Sequence, residues 1–296
     1  MKTPVFCGSS VALVTPFTPE GNVNYAKFHE LVDMQIAGGT AAIVVCGTTG
    51  ESATLSDEEH IALVKDCVDY VAGRVTVIAG SGSNDTMHAL HLSQACEAAG
   101  ADALLVVTPY YNKTTQRGLV KYYETIADGV KIPVIVYSVP SRTGMSASVD
   151  ALKELSAHPL INGVKDANSN IGGVAATLAA CGDNLNVWSG NDDETVAMMA
   201  LGAKGVVSVW ANIDPRNVAD MTAACLRGDF ATASAIQLKA YSLIKSLFIE
   251  TNPMPVKVAM NMMGLEVGGV RPPLCDMLPE NEAKLRARLL GYGLIK

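Results

Sequence analysis

The chain has 296 residues, 49% of them hydrophobic and only 17% charged, which excludes a disordered chain and supplies a large core. The formal net charge of −7, with no run of Lys or Arg, excludes the basic stripe that a nucleic-acid partner requires. Aromatic residues make up 5%, so Ala, Val, Leu, Ile and Met must do most of the packing.

The first residues, Met1-Lys2-Thr3-Pro4-Val5-Phe6-Cys7-Gly8, carry one base and no long apolar stretch ahead of a cleavage site, so no signal peptide is expected. Apolar runs such as Ala41 to Cys46 fall far short of the roughly 18 residues of a membrane span. The seven cysteines (Cys7, Cys46, Cys67, Cys96, Cys181, Cys225, Cys275) are scattered and form no Cys-x-x-Cys, and several sit in apolar strand-like runs, which points to free thiols buried there. A soluble, cytoplasmic protein is expected.

Short β-branched runs alternate with helical patterns. The first is Ser10 to Val14, followed by a helix from Tyr25 to Ala37. Ala42 to Cys46 comes next, then a helix opening at Ser56, where Ser56 and Glu59 form a capping-box pattern. Val75 to Ala79 precedes a helix from Asp85. Ala103 to Val107, Pro133 to Tyr137, Ile161 to Lys165, Leu185 to Ser189 and Gly205 to Val209 complete eight strands. Their spacing of roughly 28 residues suits one β-α unit each, and near-continuous apolar strands imply burial on both faces. An open doubly wound sheet is the alternative. It would carry a glycine-rich fingerprint after its first strand, where this chain has Thr15-Pro16-Phe17-Thr18. The expectation is therefore an α/β fold, a (β/α)8 TIM barrel over 1–214. A helical segment over 215–296 is expected to pack on it, with apolar periodicity in 216–228, 230–248, 254–264 and 280–291.

Barrel chemistry sits at the C-terminal strand ends. There the chain places Gly47-Thr48-Thr49-Gly50-Glu51, Thr108-Pro109-Tyr110-Tyr111-Asn112, Tyr137 with Pro140-Ser141-Arg142-Thr143-Gly144, Lys165-Asp166, and Ser189-Gly190-Asn191-Asp192. Lys165 ends a strand otherwise buried, a setting in which desolvation disfavours an ammonium and frees an amine to attack a carbonyl. Taken alone it also reads as a lysine snorkelling to solvent. Tyr137, one strand over at matching depth, could pass protons to and from a Schiff base; a lone strand-end tyrosine is otherwise core. Thr48 and Thr49 offer hydroxyls and backbone N–H groups that suit a carboxylate, or form an ordinary turn. Arg142 is a carboxylate clamp or a solvated loop residue. Gly190-Asn191 reads as a helix cap with Glu194 at the third position. The five histidines form no HExxH, and His88 with His91 reads as a surface pair.

Together these motifs resemble the pyruvate-dependent class I aldolases of the dihydrodipicolinate synthase and N-acetylneuraminate lyase family, and cover essentially the whole chain. Within it the chain resembles the synthase branch: the lyases tend to carry Ser-Thr at Thr48-Thr49 and lack an arginine at Arg142. The resemblance implies condensation of pyruvate with L-aspartate 4-semialdehyde, in the diaminopimelate route to lysine. It implies that Lys165 forms the Schiff base, and that Tyr137, Thr48 and Tyr111 form a proton relay with Tyr111 supplied by a neighbouring subunit. It further implies that Thr49 holds the pyruvate carboxylate, Arg142 the aldehyde's carboxylate, and that Gly190 and Val207 lend backbone near the lysine. No metal or organic cofactor is implied, and a homotetramer built as a dimer of dimers is. Ser138 stands where the family usually has Asn. For a lysine feedback pocket, Ser52, Ala53, His60, Asn84 and Tyr110 fit the sensitive pattern, whereas Asp57 replaces a His and His88 a Glu, which leaves the response to lysine open. Two other functions remain: an N-acetylneuraminate lyase or 2-keto-3-deoxy sugar-acid aldolase, and a catalytically silent barrel acting as a binding protein.

Overall fold

The computed structural model describes residues 1–296. Eight parallel strands, β1 (Gly8–Ala12), β2 (Ala42–Val45), β3 (Thr76–Gly80), β4 (Ala103–Val107), β5 (Val134–Ser138), β6 (Ile161–Asp166), β7 (Asn186–Ser189) and β8 (Gly205–Ser208), close in sequence order, with β8 back on β1. Around them run α1 (Tyr25–Gly38), α2 (Asp57–Val71), α3 (Thr86–Ala98), α4 (Gln116–Asp128), a single turn α5 (Pro140–Thr143), α6 (Val149–Leu155), α7 (Ile171–Cys181) and α8 (Thr195–Ala200). They are followed by α9 (Pro215–Leu226), α10 (Phe230–Ser246), α11 (Met254–Met262) and α12 (Pro279–Tyr292). The expected TIM barrel with C-terminal helices is the observed fold.

Polar caps start the helices where the sequence places them. Ser56 Oγ accepts from Glu59 N at 3.2 Å while Ser56 N donates to the Glu59 carboxylate at 3.1 Å, a capping box that stabilises the start of α2 by about 1 kcal/mol. Strand edges shifted by one or two residues for local reasons. β1 stops at Ala12 because Val14 N turns to Asn212 Oδ1 at 3.1 Å. β8 stops at Ser208 because Val209 N and Trp210 N both donate to Asp192 Oδ2 at 3.0 Å.

The expected division at 214/215 assigns α9 to the C-terminal segment. In the structure α9 packs on β1, α1 and α8 and is the eighth helix of the ring, so the appended helices begin with α10. The reason is that the link from β8 to its helix is a short 3-10 turn, Trp210–Asn212, that leaves no composition break.

Buried side chains form two layers, one between strands and helices and one inside the barrel. The inner layer is stoppered at the N-terminal end by Trp188, fully buried, stacked on Phe6 with ring centroids 5.1 Å apart and donating Nε1 to Phe6 O at 3.1 Å. Gly163 makes room for it: a Cβ there would stand 2.3 Å from Asn186 O and 2.5 Å from the indole. Below, Lys2 Nζ donates to the carbonyls of Ser156, His158 and Ile161 at 2.6–2.7 Å. Between β5 and β6 the register slips, Val134 pairing Ile161 but Ile135 pairing Gly163. That one extra residue places Lys165 opposite Tyr137, on the same face.

Candidate active site

At the C-terminal end of the barrel lies a cavity of about 310 Å³ whose wall includes Thr48, Thr49, Tyr137, Arg142, Lys165 and Gly190. Lys165 is 6% exposed, and its Nζ lies 4.0 Å from the centroid of the Tyr137 ring. No carboxylate pairs with it. Gly190 is needed as glycine here: a Cβ would come within 2.8 Å of Ala167 Cβ and 3.2 Å of Lys165 Cε. Under the lysine, Asp166 accepts from Asn168 N at 3.0 Å and Asn168 Nδ2 at 2.8 Å. Burial pushes the Asp166 carboxyl above its ordinary range and the Asn168 bonds oppose this. Ser138 joins the same network, donating to Asn168 Oδ1 at 3.1 Å and accepting from Ala147 N at 3.2 Å.

Thr49 is buried and its hydroxyl accepts from Asn252 Nδ2 at 2.9 Å. Arg142 is exposed at the rim and donates Nη2 to Asn252 O at 3.0 Å. One asparagine, from the connector between α10 and α11, thus holds both residues. Sequence reasoning missed it, because nothing local marks Asn252 in Thr251-Asn252-Pro253. It missed Lys257 and Arg271 for the same reason, and quoted Glu51 only as part of a motif. Lys257 Nζ donates to Glu51 Oε1 at 2.8 Å, and Arg271 N donates to Glu51 Oε2 at 2.9 Å.

Two expected members stand apart. Tyr111 has a left-handed backbone (φ 70°), is 92% exposed, and lines neither rim cavity of its own chain. The Val207 side chain packs in the inner layer together with Tyr137 and Ala167, while Val209 lines the cavity. The Gly190-Asn191 cap also differs: Asn191 Nδ2 donates to Glu194 Oε2 at 3.0 Å and Ser169 Oγ at 3.1 Å. Its side chain caps no helix, because the chain enters a 3-10 turn, Asp192–Glu194, before the six-residue α8.

A second cavity, of about 440 Å³, adjoins the first and shares Thr48, Arg142 and Asn252 with it. Ser52, Ala53, His60, His88 and Tyr110 line it; Asn84 does not, its carbonyl accepting from Asn112 Nδ2 at 2.9 Å. His88 Nε2 lies 3.0 and 3.1 Å from the two Asp57 oxygens, so it is committed to α2 rather than to His91. His60 Nε2 donates to Gly80 O at 2.7 Å, and burial holds its imidazole below the ordinary 6.5.

The sequence profile of the Dihydrodipicolinate synthetase family matches residues 5–290. The chain is 49% identical over 295 residues to the 4-hydroxy-tetrahydrodipicolinate synthase of Acetivibrio thermocellus, covering all of both chains. Its fold superposes on the crystal structure of dihydrodipicolinate synthase from Aquifex aeolicus with TM-score 0.95 and 47% identity, over 98% of this chain and 99% of that one. It also matches the chloride-inhibited dihydrodipicolinate synthase of Acinetobacter baumannii, solved complexed with pyruvate, with TM-score 0.96 and 41% identity over 98% of this chain and all of that one. The chain belongs to the dihydrodipicolinate synthetase family.

Proposed function

We propose that the chain is a 4-hydroxy-tetrahydrodipicolinate synthase, condensing pyruvate with L-aspartate 4-semialdehyde through a Schiff base on Lys165 in the diaminopimelate route to lysine. The observation that carries this is the register pair Tyr137 and Lys165, set at a cavity that also gathers Thr48, Thr49 and Arg142. The lysine amine attacks the pyruvate keto carbon and water leaves, giving an iminium. Loss of a proton from the pyruvate methyl group gives the enamine, whose carbon adds to the aldehyde. The amino group of the adduct then attacks the iminium carbon, closes the ring and releases the Lys165 amine. The iminium is itself the electron sink, so no metal or organic cofactor is required.

Tyr137 and Thr48 move protons at the lysine nitrogen and the departing oxygen, with Tyr111 completing the relay. Thr49 holds the pyruvate carboxylate, and Arg142, at the rim, that of the semialdehyde. Tyr111 is exposed and lines neither rim cavity of its own chain, which supports its use by a second copy; a homotetramer built as a dimer of dimers is the assembly the family resemblance implies. All seven cysteines are unpaired, as in the reducing cytoplasm. The second cavity is the place for an effector. The Asp57–His88 pair keeps a carboxylate in its wall despite the departures from the lysine-sensitive pattern, and an L-lysine titration decides whether lysine fills it.

The test is pyruvate consumption with L-aspartate 4-semialdehyde, with N-acetylmannosamine and a Lys165→Ala variant run alongside. Turnover with the semialdehyde alone, lost in the variant, is expected. Turnover with the sugar only would make the chain a lyase. No mass gain on the Lys165 peptide after borohydride reduction with pyruvate would make it a silent barrel.

A further inference from the structure

Glu51 and Lys257 are each 1% exposed at the side chain and form the one ion pair in the molecule that is buried on both sides. It lies beside the active-site rim, and the reaction derived above does not use it. Lys257, on α11, donates its ammonium to Glu51 Oε1 and to Thr15 O at 2.9 Å, and lies 4.2 Å from the Phe17 ring centroid. The other Glu51 oxygen takes the Arg271 amide, and the Arg271 guanidinium is held by Glu59 at 2.6 and 2.8 Å. Glu51 itself sits in the left-handed region at φ 55°, a conformation that a non-glycine residue holds only when its surroundings over-determine it. Its amide donates to Thr48 O at 3.1 Å, and Gly50 O accepts from Thr15 Oγ1 at 2.6 Å. The carboxylate is therefore bonded to α11 and to the connector between α11 and α12 on one side, while its backbone closes the Thr48–Glu51 turn on the other.

We propose that the buried Glu51–Lys257 pair is a positioning device for the reaction: it transmits the hold of the C-terminal helices to the turn that presents Thr48 and Thr49 to Lys165. This rests on the assignment of Thr48 and Thr49 to proton transfer and carboxylate binding above. A buried charge pair is a costly way to stabilise a fold, because apolar residues of the same volume do as well or better. Its use here is geometric. Two opposed charges, with each carboxylate oxygen held by its own donor, fix one angle of the turn, where apolar packing would permit several. Burial draws the Lys257 ammonium below its ordinary range and Glu51 opposes it, as expected where each charge depends on the other.

The experiment is the double variant E51Q/K257M, which removes both charges at nearly constant volume, compared with the intact protein and with E51Q alone. Three quantities are read: the melting temperature, the pyruvate concentration that half-saturates borohydride trapping, and kcat per trapped site. Counting trapped sites removes any share of unfolded protein from the kinetics. The expected result is a double variant that melts close to the parent, needs more pyruvate for half-trapping, and turns over about 100-fold more slowly per trapped site, the loss typical of a displacement near 1 Å. In E51Q the amide still accepts from one neighbour, and an intermediate loss is expected. Unchanged half-trapping and unchanged kcat per trapped site, whatever the melting temperature, would reduce the pair to a structural element and overturn the proposal. Failure of the intact protein to be trapped would strike the Schiff-base assignment itself, and the positioning role with it.

Discussion

Two lysines are buried near the same end of this barrel, and each lies over an aromatic ring. Lys165 Nζ is 4.0 Å from the centre of Tyr137, and Lys257 Nζ is 4.2 Å from the centre of Phe17. Burial and aromatic contact are thus common to both, and neither separates the lysine proposed to react from the one held in an ion pair. Partners do. Lys257 is bonded to a carboxylate and a carbonyl, so its ammonium is committed. Lys165 faces a cavity, with hydroxyl groups around it and no carboxylate paired to it. What the pair teaches is that an amine becomes available for chemistry when the surroundings leave its lone pair somewhere to go.

That contrast can be broken by exchange of function. Lys165→Ala is expected to abolish turnover, by at least about 10⁴-fold in kcat, while melting stays near that of the parent; a large loss of stability would show that Lys165 is structural too. Tyr137→Phe should lower kcat by about 10²–10⁴-fold, the range of general acid–base groups, with pyruvate still trapped on Lys165 by borohydride. Lys257→Met alone leaves Glu51 buried without its ammonium and should cost about 3–5 kcal/mol of stability in denaturant unfolding; E51Q/K257M should recover most of it.

The smallest expected effect is on pH dependence. Burial holds the His60 imidazole below its ordinary 6.5, against the opposing effect of its bond to Gly80 O. As pH falls through 6.5 the unfolded chain takes up this proton before the folded one does, so stability declines from there downward and is fully present above it. His60→Gln, which keeps a donor for Gly80 O, should flatten that part of a melting-temperature profile.

What was legible in the sequence is what neighbours in the chain decide. Strand-end residues are fixed by their place in a β-α repeat, so Lys165, Tyr137, Thr48, Thr49 and Arg142 could be found by reading one end of each strand. The capping box at Ser56 and Glu59 is equally local. Contacts across the chain left no such mark. Asn252 reaches Thr49 over 203 positions, and Lys257 reaches Glu51 over 206. Neither spacing has a period or a motif. The C-terminal ends of β1 and β8 come earlier than the sequence suggests for the same reason, because side chains of Asn212 and Asp192 take over the backbone amides beyond them. The role of α9 was hidden because a helix that completes a ring and a helix that leaves it have the same apolar periodicity.

The stopper of Trp188, Phe6 and Lys2 at the far end has a consequence for the order of events. A barrel closed at one end has a single doorway, so whatever reacts with Lys165 must pass the rim where the second reactant waits. On the roles proposed above for Lys165 and Arg142, pyruvate enters, and its water leaves, past the residue that would hold the aldehyde, so pyruvate is expected to go in first. With one opening, the order of the two substrates would follow from their traffic through it.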